Sequence, residues 1–272
     1  MGAGDGAWHT QASPPRHPAL PFVTDPWFYL LAIPAVLITG ISKGGFASGA
    51  GNLLVPMMAL SVPAPVAAGI ALPLLCAMDV SGVKAWWGRW DTREMRVLIP
   101  GALVGILLGA LAFGFMSDRA IKGMVGVTTL VFLARTLWLA RHREAPAPAP
   151  HNPVKGAICA AGSGFTSTIA HAGSPPLAIY LYPRRLDRQV MAATTVVFFG
   201  VVNYVKLVPY YFLGNLSLGN LATSAVLLPL APVGVYLGIW MQKHVSDAMF
   251  YRLLYALLVV TGVKLTWDGI LG

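Results

Sequence analysis

The sequence predicts an all-α polytopic membrane protein of two inverted repeats, each with a broken or re-entrant first helix followed by three transmembrane helices. Of the 272 residues, 56% are hydrophobic and only 11% are charged, against about 25% charged residues in a typical soluble domain. Two stretches of 35 residues, 44–78 and 207–241, contain no Asp, Glu, Lys or Arg. Because about 20 apolar residues span a bilayer core as a helix, this composition excludes an ordinary soluble enzyme.

The charge and the cysteines exclude further classes. The formal net charge of +9 comes from short clusters of Lys and Arg between apolar stretches, which is typical of membrane topology signals, so no nucleic-acid partner is expected. Cys76 and Cys159 lie inside apolar stretches, and the sequence therefore predicts neither a disulfide framework nor a metal site. Residues 1–21 have no long apolar stretch of the kind found in signal peptides. A disordered tail is predicted over residues 1–25.

Hydropathy divides the remaining chain into apolar segments. They lie near residues 26–42, 52–62, 66–83, 97–116, 120–140, 154–183, 189–211, 219–241 and 248–268. Residues 141–153 form an Ala- and Pro-rich linker, a composition that favours an extended chain. The linker separates a first membrane repeat, 26–140, from a second, 154–272.

The two halves share a collinear series of residues. Five residues recur 129 positions later in the chain, namely Pro100, Gly105, Gly109, Ser117 and Asp118 as Pro229, Gly234, Gly238, Ser246 and Asp247. The Gly-Phe-Ala-Ser sequence at 45–48 likewise matches Gly-Phe-Thr-Ser at 164–167. A collinear series in an apolar chain indicates duplication.

Loop charge indicates how the halves lie relative to each other. The loop after the second element is basic in the first half, whereas its counterpart at 210–220 is uncharged. One loop earlier the pattern reverses, since 60–66 is neutral and its counterpart is basic. The basic residues are Lys84, Arg89, Arg93 and Arg96 in the first half, and Arg184, Arg185 and Arg188 in the second. Because basic loops stay cytoplasmic, the halves are predicted to have opposite orientations.

Inversion requires an odd number of crossings in each half. We therefore expect the first elements, near 27–62 and 154–183, to be broken or re-entrant hairpins, each followed by three crossings. Both stretches contain Gly and Pro clusters that are difficult to accommodate in one straight helix. Irregular backbone at membrane depth is tolerated only where protein or a water-filled cavity satisfies its polar groups. The two breaks are thus predicted to face a site.

The first break supplies the substrate-binding candidates Lys43, Gly44, Gly45 and Ser48. Adjacent glycines can expose consecutive backbone N–H groups, which suit an anion, and Lys43 adds a positive charge. The alternative is that Lys43 extends to the membrane interface and that the glycines only permit close helix packing.

The second break supplies Ser167, Thr168 and His171. A polar cluster in an apolar membrane element is costly unless it has a function, so these residues are predicted to bind substrate. His171 is also a proton-coupling candidate. Alternatively, the hydroxyl groups bond to carbonyls of their own helix and His171 is a packed neutral ring.

The helices after the breaks carry Asp79, Lys84, Asn203 and Lys206. Asn203 and Lys206 are three residues apart, so they can share one helix face, and both are predicted to bind substrate. Anchoring at the interface is the alternative for either lysine. Asp79 is the leading proton-carrier candidate, with a structural partnership to Lys84 as the alternative. No nucleotide-binding loop, metal-ligand spacing or nucleophile elbow is present in the sequence, so neither an enzyme nor a cofactor is expected.

Two motifs mark the breaks, G-x-x-K-G-G-F at 40–46 and G-F-x-S-T-x-A-H-A-G-x-P-P at 164–176. They resemble the two signatures of the sulfite exporter TauE/SafE family of bacterial membrane proteins, and the resemblance extends over residues 27–268. It implies a permease of the bacterial inner membrane that exports sulfite, sulfoacetate or related sulfur-containing anions, or in some members imports such compounds.

These observations together predict a secondary transporter, an exporter of a small sulfur-containing oxyanion, working by alternating access with proton coupling. The anion is expected on N–H groups and hydroxyls of residues 43–49 and 164–168, with Lys43 or Lys206 supplying charge. An anion channel or a uniporter is the alternative. Expected partners are the lipid bilayer, the anion and protons, and a homodimer is a further candidate.

Overall fold

A computed structural model of the chain describes residues 22–45, 53–141, 149–244 and 247–270. All regular secondary structure in these ranges is helical, which confirms the predicted class. The predicted tail up to residue 21, linker residues 142–148 and Ser246 of the duplicated series lie outside the described residues.

Each half contributes an interrupted element and then longer helices. The first half contains α1 (Pro26–Gly45), α2 (Leu54–Met58), α3 (Ala64–Ala85), α4 (Thr92–Phe115) and α5 (Asp118–Arg141). The second half contains α6 (Pro153–Ala170), α7 (Ser174–Leu181), a 3-10 turn (Tyr182–Arg184), α8 (Arg188–Phe212), α9 (Leu218–Leu227), α10 (Leu230–His244) and α11 (Asp247–Ile270).

The interruption between α6 and α7 has a clear local cause. His171 adopts a left-handed backbone conformation with φ of 53°, which ends the helix because L-residues cannot continue a right-handed helix from it. The His171 N–H donates to the Ser167 carbonyl at 3.1 Å. The next helix begins at Ser174, with Pro175 and Pro176 in its first turn, where an N–H would have no helical acceptor.

Six helices in the described ranges are long and apolar enough to cross a membrane. They cover Pro26–Gly44, Ala64–Lys84, Thr92–Phe115, Asp118–Trp138, Gln189–Phe212 and Arg252–Ile270. The predicted segment 219–241 is divided into α9 and α10, which meet at an angle of 43° and together would make a seventh span. Pro229 lies at this bend, where it lacks the N–H of a continuous helix.

The ends of the α6–α7 element lie together at the start of α4. The buried Glu94 carboxylate accepts a hydrogen bond from Tyr180 OH at 2.7 Å and from Arg184 Nε at 2.7 Å. His151, just before α6, places Nδ1 3.2 Å from Glu94 Oε1. The chain therefore returns, by the end of α7, to the side from which α6 started.

Contacts at the opposite end of the bundle involve the starts of α1 and α3. Val23 N donates to Thr223 Oγ1 near the start of α9 at 3.0 Å, and Ala64 N donates to Asp118 Oδ1 at the start of α5 at 2.7 Å. The two interrupted elements thus begin at opposite ends of the bundle. This favours the inverted arrangement, whose orientation in the membrane stays a prediction.

Helix packing pairs each interrupted element with the other half. Helix α6 packs along α4, and α1 packs along α10, while α5 packs on α11 and α3 on α8. A Cβ at Gly105 would lie 1.9 Å from the Ala161 carbonyl oxygen, and a Cβ at Gly234 would lie 3.0 Å from that of Leu37. The duplicated glycines therefore permit the same kind of close helix approach twice.

Buried apolar side chains form two clusters. The larger lies mainly on α1, α2, α3, α5, α10 and α11, and the smaller on α4, α6, α7 and α8. Helices α3 and α8 pack against each other from different clusters. The polar residues described next lie where these clusters meet.

Candidate functional site

A set of polar side chains, all buried except the half-buried Lys43, comes together from α1, α3, α6 and α8 and from the residue that ends α6. They are Lys43, Asp79, Ser167, Thr168, His171, Asn203, Lys206 and Tyr210. Within the described ranges, no group of three His, Cys, Asp or Glu residues is arranged to hold a metal ion. The set combines ammonium, amide, imidazole and hydroxyl groups, which can donate hydrogen bonds to an oxyanion.

Lys206 is fully buried on α8. Its Nζ donates to the Ser167 carbonyl and to Ser167 Oγ, both at 3.0 Å. This carbonyl is in the last turn of α6, where the helix dipole is negative. Among the described residues, no carboxylate forms a salt bridge with Lys206. Its hydrogen bonds in the described part of the chain thus go only to uncharged groups of Ser167, although a buried charge normally needs an ionic partner.

Asp79 connects three helices through its carboxylate. Oδ1 accepts a hydrogen bond from Lys43 Nζ of α1, and Oδ2 accepts one from Asn203 Nδ2 of α8 at 2.6 Å. Lys84 is exposed and forms no salt bridge with Asp79 in the described part of the chain. The alternative of an Asp79–Lys84 partnership is therefore wrong, because the neighbouring helices supply the partners instead.

His171 is buried with both ring nitrogens unpartnered among the described residues. Its ring lies edge-on to the Tyr210 ring, with 5.8 Å between centroids. A buried polar group without a hydrogen bond costs about 1 to 3 kcal/mol, and a neutral imidazole has one donor and one acceptor. The ring is therefore available to a bound ligand.

The hydroxyl groups of α6 have different roles. Thr168 Oγ1 donates to the Gly164 carbonyl at 2.8 Å, and Thr166 Oγ1 donates to that of Gly162 at 2.9 Å, which confirms the back-bonding alternative for both threonines. Ser167 Oγ accepts from Lys206 and so keeps its own proton for another acceptor. Residues 164–168 are helical, so their N–H groups lie within the helix, and the expected anion site there stays a prediction.

Gly44 and Gly45 form the last turn of α1. A Cβ at Gly44 would lie 2.1 Å from the Val235 carbonyl oxygen of α10, so Gly44 permits close helix packing, as the alternative proposed. A helix C-terminus presents carbonyl groups rather than free N–H groups, which corrects the predicted N–H site at these two glycines. Ser48 and the rest of that motif lie outside the described residues.

Tyr210 is a member of the set that sequence reasoning missed. Its side chain is fully buried, and its OH donates to the Thr168 carbonyl at 2.6 Å. Asn203, Lys206 and Tyr210 follow the i, i+3, i+7 spacing of one helix face. Extending the predicted Asn203–Lys206 face by one turn would have identified it.

A cleft of about 740 Å³ lies between α3 and α8 and reaches Asp79. Its walls are mostly apolar, and its far end is lined by Lys84, Trp87 and Trp90. Trp87 is 73% exposed, in accordance with the interfacial position expected of such residues. The cleft therefore extends from the buried polar set toward the end of the bundle that carries the basic loops.

Comparisons with known proteins match the chain to a family of membrane proteins. The model of a family described as Sulfite exporter TauE/SafE matches residues 32–265. The "Probable inner membrane transporter protein TsaS" of Comamonas testosteroni is 29% identical over 202 residues, which are 72% of this chain and 80% of that protein. No solved structure matches the chain significantly.

Proposed function

Because the chain belongs to the sulfite exporter TauE/SafE family, we propose that it is an inner-membrane secondary transporter that exports a small sulfur-containing oxyanion, such as sulfite or an organosulfonate. The relative from Comamonas testosteroni is named a probable inner membrane transporter protein. Six described helices long enough to span a membrane support the same location.

The observation that carries anion binding is the buried ammonium group of Lys206. Its described hydrogen bonds go only to Ser167, and burial of an unpaired charge is unfavourable. Two ammonium groups, on Lys43 and Lys206, face one carboxylate, on Asp79. Counted at the ordinary charges of these side chains, the set carries one net positive charge, which suits a singly charged oxyanion.

The binding mode follows from the donors that remain available. Lys206 Nζ donates a charge-assisted bond, the Ser167 hydroxyl donates a second, and His171 supplies a third polar contact. The backbone N–H of His171 and Lys206 Nζ both donate to the Ser167 carbonyl, at 3.1 and 3.0 Å. The His171 backbone and the Lys206 ammonium group are therefore neighbours. A sulfite or sulfonate group has three oxygens to accept such bonds.

Access to the set differs between the two ends of the bundle. The lining of the cleft between α3 and α8 continues from Asp79 to Lys84, Trp87 and Trp90, near the basic loops. At the opposite end, a Cβ at Gly69 would lie 2.1 Å from the Asn215 carbonyl oxygen, and Ser224 Oγ donates to the Ile70 carbonyl at 2.9 Å. Since basic loops stay cytoplasmic, this asymmetry supports entry from the cytoplasm and alternating access by movement of the two clusters.

Replacement of Lys206 by Gln tests the proposed site. Affinity for the bound anion should fall about tenfold to hundredfold, because a charge-assisted hydrogen bond contributes about 1.5 to 3 kcal/mol. Thermal-shift screening of the wild type with sulfite, thiosulfate, sulfoacetate, taurine, sulfate and acetate selects the ligand. Titration of the purified variant in detergent then gives the dissociation constant.

Lys264→Gln is the matched control, because Lys264 is an exposed lysine paired with Asp268 on α11, and its affinity should equal that of the wild type. Wild-type affinity in folded Lys206→Gln protein would place the anion elsewhere. Saturable counterflow in proteoliposomes is expected of a transporter, whereas flux without counterflow would favour an anion channel.

A further inference from the structure

Asp79 is held by two donors that would also suit an anion. Its side chain is 3% exposed, and its two carboxylate oxygens have separate donors, Lys43 Nζ and Asn203 Nδ2. An ammonium group and an amide are also the kinds of donor that a sulfite or sulfonate oxygen requires. The protein thus presents its own oxyanion to donors predicted to bind the substrate.

The helix face of α8 places these donors beside the proposed anion site. Asn203 and Lys206 are one turn apart, and they bond to different partners, Asp79 on α3 and Ser167 on α6. Lys43 reaches the same carboxylate from the end of α1. Lys43 therefore forms a salt bridge with Asp79, whereas Lys206 forms none with the carboxylates that the structure describes.

Resting on the proposed function, we propose that Asp79 is a tethered competitor of the transported anion for Lys43. With no substrate bound, Asp79 holds the Lys43 ammonium group. When the anion binds at Lys206 and Ser167, Lys43 exchanges the Asp79 carboxylate for a substrate oxygen. The released carboxylate keeps its hydrogen bond from Asn203 Nδ2 and borders the cleft between α3 and α8. By competing for Lys43, Asp79 thereby lowers the affinity of the site for the transported anion.

Asp79→Asn separates this role from that of a substrate ligand. The variant removes the competing charge and keeps one carbonyl oxygen for Lys43. Its Nδ2 replaces the acceptor of Asn203, whose amide can turn and accept through Oδ1 instead. The first probes are sulfite and sulfoacetate, followed by the anion chosen in the screen. Affinity for the anion should increase about tenfold or more, since the salt bridge between Lys43 and Asp79 no longer has to be broken. The sign is opposite to that expected for Lys206→Gln.

A double-mutant cycle keeps the test decisive. Because Asp79 acts through Lys43, the double variant Lys43→Gln/Asp79→Asn should bind the anion with the same affinity as Lys43→Gln alone. Both charges of the salt bridge are absent from the double variant, so no unpaired charge remains to prevent folding. Asp268→Asn is the control for a general effect of charge, since Asp268 pairs with Lys264 on an exposed surface. This variant should bind the anion with wild-type affinity.

Three results would overturn the role of Asp79. The first is an affinity in folded Asp79→Asn protein equal to or weaker than that of the wild type. The second is that Asp79→Asn increases the affinity equally in the wild type and in Lys43→Gln, which would indicate a long-range effect of the removed charge. The third is an equal increase in Asp268→Asn. If Lys206→Gln binds normally, the anion site itself is misplaced, and this outcome is distinct from failure of the Asp79 proposal.

Discussion

His171 combines three properties at one residue. It ends α6 in a left-handed conformation, its ring is buried, and its nitrogens have no partner in the described part of the chain. An imidazole is the side chain whose charge changes near neutral pH. The residue is therefore placed to contact the anion, to carry a coupled proton, or to do both.

His171→Asn separates coupling from binding. Asn tolerates the left-handed conformation better than most residues and keeps a polar side chain, but it cannot titrate near neutral pH. If His171 carries the coupled proton, the variant should still bind the anion and lose accumulation driven by a pH gradient in proteoliposomes.

The control for this variant is transport driven by the anion gradient alone, which should persist. Wild-type accumulation under a pH gradient would remove His171 from coupling and leave Asp79 as the candidate. Loss of thermal stability with normal transport by the surviving protein would assign His171 to packing.

At the scale of elements, the contact between α4 and α6 holds Ser167 in place. Gly101 and Gly105 allow the α6 backbone to approach α4, since a Cβ at either would lie 2.5 or 1.9 Å from a carbonyl oxygen of Ala157 or Ala161. The position of α6 in turn determines where its last turn, and hence the Lys206 acceptors, lie. Helix packing and the site are thus coupled.

Gly105→Ala should push α6 away from α4. Overpacking of a well-packed contact costs about 1 to 3 kcal/mol, so the melting temperature in detergent should fall. The matched control is Gly123→Ala in α5, where the nearest atom would be 3.5 Å from the new Cβ. There the better helix propensity of Ala, about 1 kcal/mol, should leave stability equal or higher. An unchanged melting temperature in Gly105→Ala would contradict the close contact.

At the scale of the whole molecule, the two basic loops lie side by side. Arg89 Nη1 donates to Gln189 Oε1 at 3.4 Å, and the Asp91 N–H donates to Thr194 Oγ1 at 2.9 Å. The basic loop of the first half follows its second element, α3, whereas that of the second half follows its first, the α6–α7 element. Their adjacency requires that they face the same side of a membrane.

Cysteine labelling tests this topology. In a background without Cys76 and Cys159, cysteines at Thr92 and Gln189 should react with an impermeant thiol reagent only from the cytoplasmic side, because both lie at the basic end of the bundle. Gln189 is chosen because the neighbouring Asp187 side chain caps α8. A cysteine at the exposed Leu218 should react only from the other side. Labelling of Thr92 and Gln189 from opposite faces would restore a plain eight-crossing topology and remove the inverted repeat.

Much of the architecture is determined by local properties of the sequence. Apolar stretches without charge are sufficient to predict membrane helices, and the proline and glycine clusters near 164–176 predict the interruption of α6 because they act on the backbone directly. The shared face of Asn203 and Lys206 follows from their spacing alone. The same spacing identified Asn203 and Lys206 on this face of α8, although the prediction stopped at Lys206 and did not include Tyr210.

The partners of those residues depended on tertiary structure. Asp79 pairs with Lys43 and Asn203, which lie 36 and 124 positions away, and nothing local distinguishes them from Lys84 as a partner. Gly44 became a packing residue because α10 passes beside it, and Tyr210 joined the set because α6 ends against α8. Spacing along one helix determines which side chains share a face, whereas the approach of helices distant in sequence determines what that face contacts. The sequence by itself therefore determined the class of protein and the position of the break between α6 and α7, and only the packing of the two halves decided which described charges are paired.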